Sequence, residues 1–347
     1  MSAVLEQPPA PAAADSGTRK GSLLKAELHR FRARRFIQVL VGVAVLGWLA
    51  ALVIGLLNFG IPSDADLAEA RERIAVEVEM SEGFRQECLA NPGQIPADVT
   101  PEEVCGPPVT ADQFPLEFYV DKVPFDFGAT GVDGALGVAG LTAALAFVIG
   151  ATWIGAEWST RSIVALLFWV PRRFQVIGTK LGVLVLASGL LGVLTQAGWL
   201  AIAGIWDTFA GADQPLPEGF WSDLLQTQGR GVLLTVIAAL LGFGLTNVIR
   251  NTGAALGIGF VYVAIVESLI RGLRPRWQPW LLTENAQALV QHDGRLLQFW
   301  DVIPDANGFM EPAEYYLGNL QAALTLGAVT AVVIGLGVVL FARRDIH

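Results

Sequence analysis

Gly155-Ala156-Glu157-Trp158-Ser159-Thr160-Arg161, continuing through Leu166-Leu167 to Pro171-Arg172-Arg173 and Lys180, lies between two long apolar segments. A short basic excursion so placed reads as a loop on one side of a membrane. Within it, Ile163, Leu166 and Leu167 recur at helical spacing. Pro171 predicts the end of that helix, because proline lacks the amide hydrogen and clashes with the preceding turn. The stretch thus predicts a short, partly apolar helix projecting from the membrane between two spans.

The rest of the chain agrees with a membrane setting. Of its 347 residues 53% are hydrophobic and only 16% charged, against roughly 25% charged in soluble domains. The apolar residues gather into six blocks, about 36–58, 132–154, 181–205, 231–249, 253–270 and 320–342. Each is near the ~20 residues that span a bilayer as a helix. None alternates with period two, so the spans read as helices rather than barrel strands. The expected fold is an all-α polytopic membrane protein with six transmembrane helices.

Basic residues set the orientation. Arg19, Lys20, Lys25, Arg30, Arg32, Arg34 and Arg35 precede the first span and predict a cytoplasmic N-terminus. Six crossings then bring Arg161, Arg172, Arg173, Lys180, Arg250, Arg343 and Arg344 to the same side, and the C-terminus with them. Arg271, Arg274, Arg276 and Arg295 fall in the external loop 271–318, where acids outnumber them. The net charge of −9 is therefore divided, with acid concentrated outside and base inside. No basic stripe interleaved with aromatics is present, which argues against nucleic acid as a partner. The preponderance of Arg over Lys, with abundant Ala and Gly, points to a bacterial genome rich in G and C.

Residues 1–17 are rich in Pro and Ala and predict a disordered tail. Residues 18–35 predict an amphipathic helix lying in the inner interface, its basic side chains on lipid phosphates; a plain positive anchor is the alternative. The external insert 59–131 begins with Ser63 and Asp66 in capping-box order, predicting a helix to about Leu89. Cys88 and Cys105 both lie in this insert, and an even pair there reads as a disulfide. Two buried thiols or a metal site are the other readings, although His29, His292 and His347 are too scattered to complete a metal site. In the loop 271–318, Trp277, Trp280, Trp300, Tyr315 and Tyr316 predict interfacial or re-entrant helices.

No catalytic motif is legible: there is no Gly-x-Ser-x-Gly, no His-Glu-x-x-His and no phosphate-binding loop. The chain reads as a non-enzyme with no cofactor or metal of its own. Any driven work requires another polypeptide.

The loop 155–180 resembles that of permease subunits of the type-2 ATP-binding-cassette (ABC) transporters. In that family the loop after the second span reads Glu, Gly-Thr, Leu-Leu, Pro, one or two basic residues and then Lys. Glu157, Leu166, Leu167, Pro171, Arg172, Arg173 and Lys180 fit that order, while Arg161 and Ser162 stand in place of Gly-Thr. Glu27 and Arg30 to Arg35 resemble the family's elbow helix, residues 36–347 its transmembrane domain, and Arg250-Asn251-Thr252 its second cytoplasmic turn. The resemblance implies a bacterial plasma-membrane assembly of two permease chains, identical or paralogous, with two cytoplasmic ATPase subunits. ATP and Mg would bind on the ATPases, and the assembly would export a hydrophobic or amphipathic substrate by alternating access. The coupling contacts would fall on Glu157, Arg161, Ser162, Leu166, Leu167, Pro171, Arg172, Arg173, Arg250 and Asn251. The size of the acidic insert keeps a second reading open, a non-transporting component that relays ATPase movement to an external envelope partner.

Within the spans, Glu267 stands one turn before Arg271. A local i,i+4 pair and a place on a substrate pathway are the two readings. Asn247, Thr246 and Gln196 read as helix–helix hydrogen-bonding groups or as cavity lining.

Overall fold

The computed structural model describes residues 19–91, 100–169, 172–299 and 312–343. The predicted disordered tail, Pro171, and residues 300–311 of the loop 271–318 lie outside them.

The described chain is almost wholly helical. Helix α1 (Arg19–Ala33) leads into α2 (Arg35–Asn58), followed by α3 (Asp64–Ala90) and the short α4 (Pro101–Cys105). Then come α5 (Phe127–Ser159), α6 (Ser162–Trp169), α7 (Arg173–Ala210) and α8 (Phe220–Ile249). Helix α9 (Thr252–Val261) passes through a π-helical turn, Tyr262–Val266, into α10 (Glu267–Leu273). Helix α11 (Leu282–Val290), strands β1 (Arg295–Phe299) and β2 (Ala313–Leu317), and α12 (Asn319–Arg343) complete the order.

Six helical segments are long and apolar enough to cross a membrane: α2, α5, α7, α8, Thr252–Leu273 and α12. The protein is a polytopic, helical membrane protein. Its helices outrun the apolar blocks of the sequence. The 38 residues of α7 extend ~57 Å at 1.5 Å per residue, nearly twice the hydrocarbon thickness, because backbone hydrogen bonding continues where apolarity stops. Between residues 271 and 318, where the aromatics predicted interfacial or re-entrant helices, a short helical turn at Pro275–Trp280 and α11 are present. The structure also contains a two-stranded antiparallel sheet there, with Leu297 opposite Tyr315; the pairing joins residues 295–299 to 313–317, which no local pattern in either run specifies.

The chain forms two compact units. One comprises residues up to Ala44, Gly134–Ala197 and the chain from Trp221 onward; the other comprises Val45–Asp133 and Gly198–Phe220.

In the first unit α5 and α8 meet backbone to backbone. A Cβ at Gly150 would overlap the Ala239 carbonyl, and one at Gly242 the Phe147 carbonyl. Lipid tails are as apolar as leucine, so such helices associate through close van der Waals contact, which small residues permit. Around this seam lies a core of Trp153, Ile154, Ile163, Val183, Leu184, Phe243 and Phe341. A second cluster joins Ala139 and Leu234 to Leu289, Leu297, Leu317 and Leu326, holding α11 and the hairpin against α8 and α12. Buried polar groups tie the helices laterally. Thr142 Oγ1 donates to Thr195 Oγ1 at 3.1 Å, and Gln196 Nε2 to the Ala135 carbonyl at 3.1 Å.

In the second unit Trp206 Nε1 donates to the Leu52 carbonyl at 3.1 Å, with its ring against Phe59 and Phe125. The insert is built on α3, where Ser63 and Asp66 form a reciprocal capping box. Ala70 and Ile74 turn one face of α3 inward. Cys88 and Cys105 are joined in a disulfide across 17 residues, a loop whose closure stabilises by about 3 kcal/mol on the chain-entropy model. Arg85, Gln86 and the Val109 amide all donate to Glu82, holding its carboxylate down at about 2 from an ordinary 4.5.

Two predictions follow from this packing. Gly150→Val or Gly242→Val should force α5 from α8 and cost about 1–3 kcal/mol, read as a lowered unfolding temperature in detergent. Gly137→Val, where nothing lies within 4 Å of the added carbon, should leave it unchanged. The depressed Glu82 carboxylate favours the folded insert above pH 4.5, and this contribution is lost as pH falls toward about 2. Limited proteolysis should show the insert loosening over that range, with a smaller pH dependence in Glu82→Gln.

Candidate functional site

At the ends of α5 and α8 the chain turns without glycine. Arg161 sits at φ 55° just past α5, and Arg250 at φ 62° just past α8. Left-handed backbone costs an L-residue roughly 1–2 kcal/mol, so each turn is held by its surroundings. The Arg250 guanidinium lies 4.4 Å over the Trp158 ring, a cation–π contact that glycine could not make. Trp158 Nε1 also donates to Asn247 Oδ1 at 3.2 Å, and Asn251 caps α9 through the Ala254 amide at 2.9 Å. Gly155 is required here, because any side chain would strike Thr252 and Thr246.

Beneath this turn lies a buried charge cluster. The Lys180 ammonium is fully buried, 2.6 Å from Glu27 Oε2 and 2.6 Å from Glu157 Oε1. Arg34 reaches the same Glu157 oxygen at 3.2 Å and donates to the Thr152 carbonyl at 3.1 Å. Arg30 pairs with Glu27 at 2.8 Å. Both Arg34 and Lys180 stand over the Trp153 ring, at 4.6 and 4.8 Å from its centroid. Burial pulls the Arg34 guanidinium below its ordinary value, and Glu157 opposes that pull. The cluster joins α1, α5 and α7 through Lys180, Glu27, Glu157 and Arg34, each of which meets two partners.

Helix α6 sits beside this cluster and has two faces. Ile163 and Leu166 are buried and Leu167 is half-buried, with Ile163 and Leu167 packed on the unit's own core. Arg161, Ser162, Ala165 and Phe168 face outward, Phe168 at 84% exposure. A cleft of about 560 Å³ opens between α1 and α6, lined by Arg30, Ala33, Arg34, Glu157, Ser162, Ala165 and Leu166.

The residues read from the sequence as one contact surface therefore divide. Glu157 and Leu166 are interior, paired or packed within the chain, since a carboxylate beside a buried ammonium and a leucine beside Ile163 are drawn inward. Arg161, Ser162, Arg172 and Asn251 are exposed, while Arg173 donates to the last carbonyls of α12, Phe341 and Ala342, at 3.2 and 3.0 Å. Lys180 reads from the sequence as an anchor at the membrane surface, and Arg34 and Trp153 as ordinary interface and span residues. A lone lysine in an apolar run between Ile177 and Leu184 was the available signal.

Asn247 belongs to the Trp158 turn, apart from Glu267 and Arg271 at the far end of the fifth span. There the buried Glu267 accepts from the Leu282 and Thr283 amides at 2.8 and 3.2 Å. It thereby supplies an anionic cap to α11, whose own Leu281 offers no capping side chain. Arg271 bridges Glu267 at 3.3 Å and Glu284 at 2.9 Å. Among the described residues no group of His, Cys, Asp and Glu has metal-binding geometry.

No protein-family model matches this chain, and no curated protein matches it.

The ion cluster predicts strong coupling between its members. Lys180→Met should cost about 3–5 kcal/mol, because it removes the buried ammonium that Glu27 and Glu157 share and leaves each carboxylate with a single arginine partner. Adding Glu27→Gln and Glu157→Gln should recover much of that loss. A thermodynamic cycle on purified protein that shows simple additivity would contradict the cluster.

Proposed function

We propose that this chain is the membrane-spanning permease subunit of an ABC-type transporter, moving a hydrophobic or amphipathic substrate across a bacterial plasma membrane. The observation that carries the reading is the two-faced α6. One face is fixed to the core of its own unit through Ile163 and Leu167, and the other presents Ser162, Ala165 and Phe168 beside an open cleft.

A short helix so mounted acts as a lever. Force on its outer face passes through the Arg161 turn to α5. The Glu157–Lys180–Glu27 cluster then passes it to α7 and α1. The absence of a phosphate-binding loop in the sequence requires the force to come from a separate nucleotide-hydrolysing subunit, where ATP and Mg would bind. Two permease chains and two such subunits form the assembly in this reading. Its orientation, with both termini and α6 in the cytoplasm, is supported by the concentration of arginine at that end of the spans. The disulfide in the insert agrees, since disulfides persist on the oxidising side of a membrane.

In this reading Glu157 and Leu166 transmit force, whereas Phe168, Ala165 and Ser162 touch the partner. Affinity purification of the tagged chain from its native membrane should recover a stoichiometric ATP-hydrolysing subunit. Phe168→Asp should reduce that recovery and the coupled ATPase rate at least tenfold, with membrane insertion unchanged. Full coupling in Phe168→Asp would reject the docking face; the lack of any nucleotide-hydrolysing partner would reject the transporter reading.

A further inference from the structure

Helix α3 of the insert carries an apolar ridge that its own unit does not cover. Val76, Met80 and Phe84 follow one another at four-residue spacing, so they align on one side of the helix. They are 61%, 48% and 67% exposed. Gly83 lies next to the ridge with nothing within 4 Å of where its Cβ would be, which leaves open space beside Met80 and Phe84. The opposite side of α3 is engaged. Ala70 and Ile74 are buried and Glu82 accepts from the Val109 amide at 3.1 Å, while Cys88, one turn beyond Phe84, is tied to Cys105 and anchors the end of the helix. The ridge is therefore the free side of a helix held in place from behind.

Its surroundings specify the partner's charge. Helix α3 has eight acids against three arginines. Arg73 is taken by Glu69 at 2.6 Å, and Arg85 by Glu82 at 2.6 Å. Among the described residues Glu72, Glu77, Glu79 and Glu87 form no ion pair. On the helix, Glu77 borders the ridge on one side, Glu72 and Glu79 lie on the other, and Glu87 stands beyond Phe84.

Three occupants fit an apolar ridge in general, and charge separates them. A second copy of α3 would bring two sets of unpaired carboxylates together, and like-charge juxtaposition is costly. An anionic bilayer surface would be repelled likewise, because lipid-binding faces rely on Lys and Arg. A basic segment with apolar anchors one turn apart meets both demands. Its anchors would seat on Val76, Met80 and Phe84, and its lysines or arginines would reach the flanking glutamates.

We propose that the Val76–Met80–Phe84 ridge is a docking surface for a cationic amphipathic peptide segment. The test uses the full chain in nanodiscs of neutral lipid, with binding to empty nanodiscs subtracted. The probe is a labelled 18-residue Leu/Lys helix with all leucines on one face, compared with a scrambled peptide of identical composition. The expected result is at least tenfold tighter binding of the amphipathic peptide than of the scrambled one. Phe84→Asp and Met80→Asp should each erase most of that preference. Glu77→Lys with Glu79→Lys should weaken binding tenfold while leaving the ridge intact. Glu79, Met80 and Phe84 are exposed and Glu77 is half-buried, and an oxidised Cys88–Cys105 pair in each variant verifies that the insert remains folded. Equal binding of the two peptides, or unchanged affinity in the Asp variants, overturns the proposal. Disulfide-linked dimers formed efficiently by Met80→Cys would also overturn it, by showing that a second copy occupies the ridge.

Discussion

An ammonium withdrawn from water costs several kcal/mol unless carboxylates replace its hydration, and the placement of Lys180 follows from that constraint. Lys180 is on α7, Glu157 at the end of α5 and Glu27 on α1, so satisfying one charge fixes three helices together. Arg34 then shares Glu157, and Trp153 offers its ring to both cations. Phe31 packs edge-on against the same ring at 5.1 Å, extending the junction along α1. Removing Lys180 takes from Glu27 and Glu157 the one cation they share. The N-terminal helix is thus a structural part of its unit rather than a basic anchor alone.

The turn above this cluster shows how a membrane protein can use strained backbone without glycine. Arg161 and Arg250 both occupy the left-handed region. A guanidinium at such a turn can reach an aromatic face, as Arg250 reaches Trp158. Asn251 caps the following helix immediately, so α8 and α9 are joined by a connection too short to move independently. The same economy appears at the other end of the fifth span. A π turn precedes Glu267, and the Glu267 carboxylate caps α11 in place of the missing capping residue. An acid within a span is here a structural ligand for a neighbouring helix terminus.

The insert follows a different logic from the spans. Its inner surface is thin, with Ala70 and Ile74 the buried residues of α3. A disulfide and a carboxylate shared among three donors supply what a small core lacks. That construction leaves one side of a long helix free, and the ridge at Val76, Met80 and Phe84 stands on it.

What the sequence by itself determined was whatever depends on runs and nearest neighbours along the chain. Six apolar blocks imply six spans because hydrocarbon demands length, and Ser63 with Asp66 implies a helix start because capping is local. Cys88 and Cys105 could be paired because no other cysteine competes. Which side chains turn inward was decided only by the tertiary structure. Glu157 and Leu166 looked like parts of one exposed surface with Arg161 and Ser162, yet two of the four are interior. The reason is that burial of a charge depends on partners far away in the chain. Glu27 lies 153 residues from Lys180, and no periodicity in either segment encodes their meeting. The pairing of β1 with β2 and the capping of α11 by Glu267 likewise depend on residues brought together across the chain.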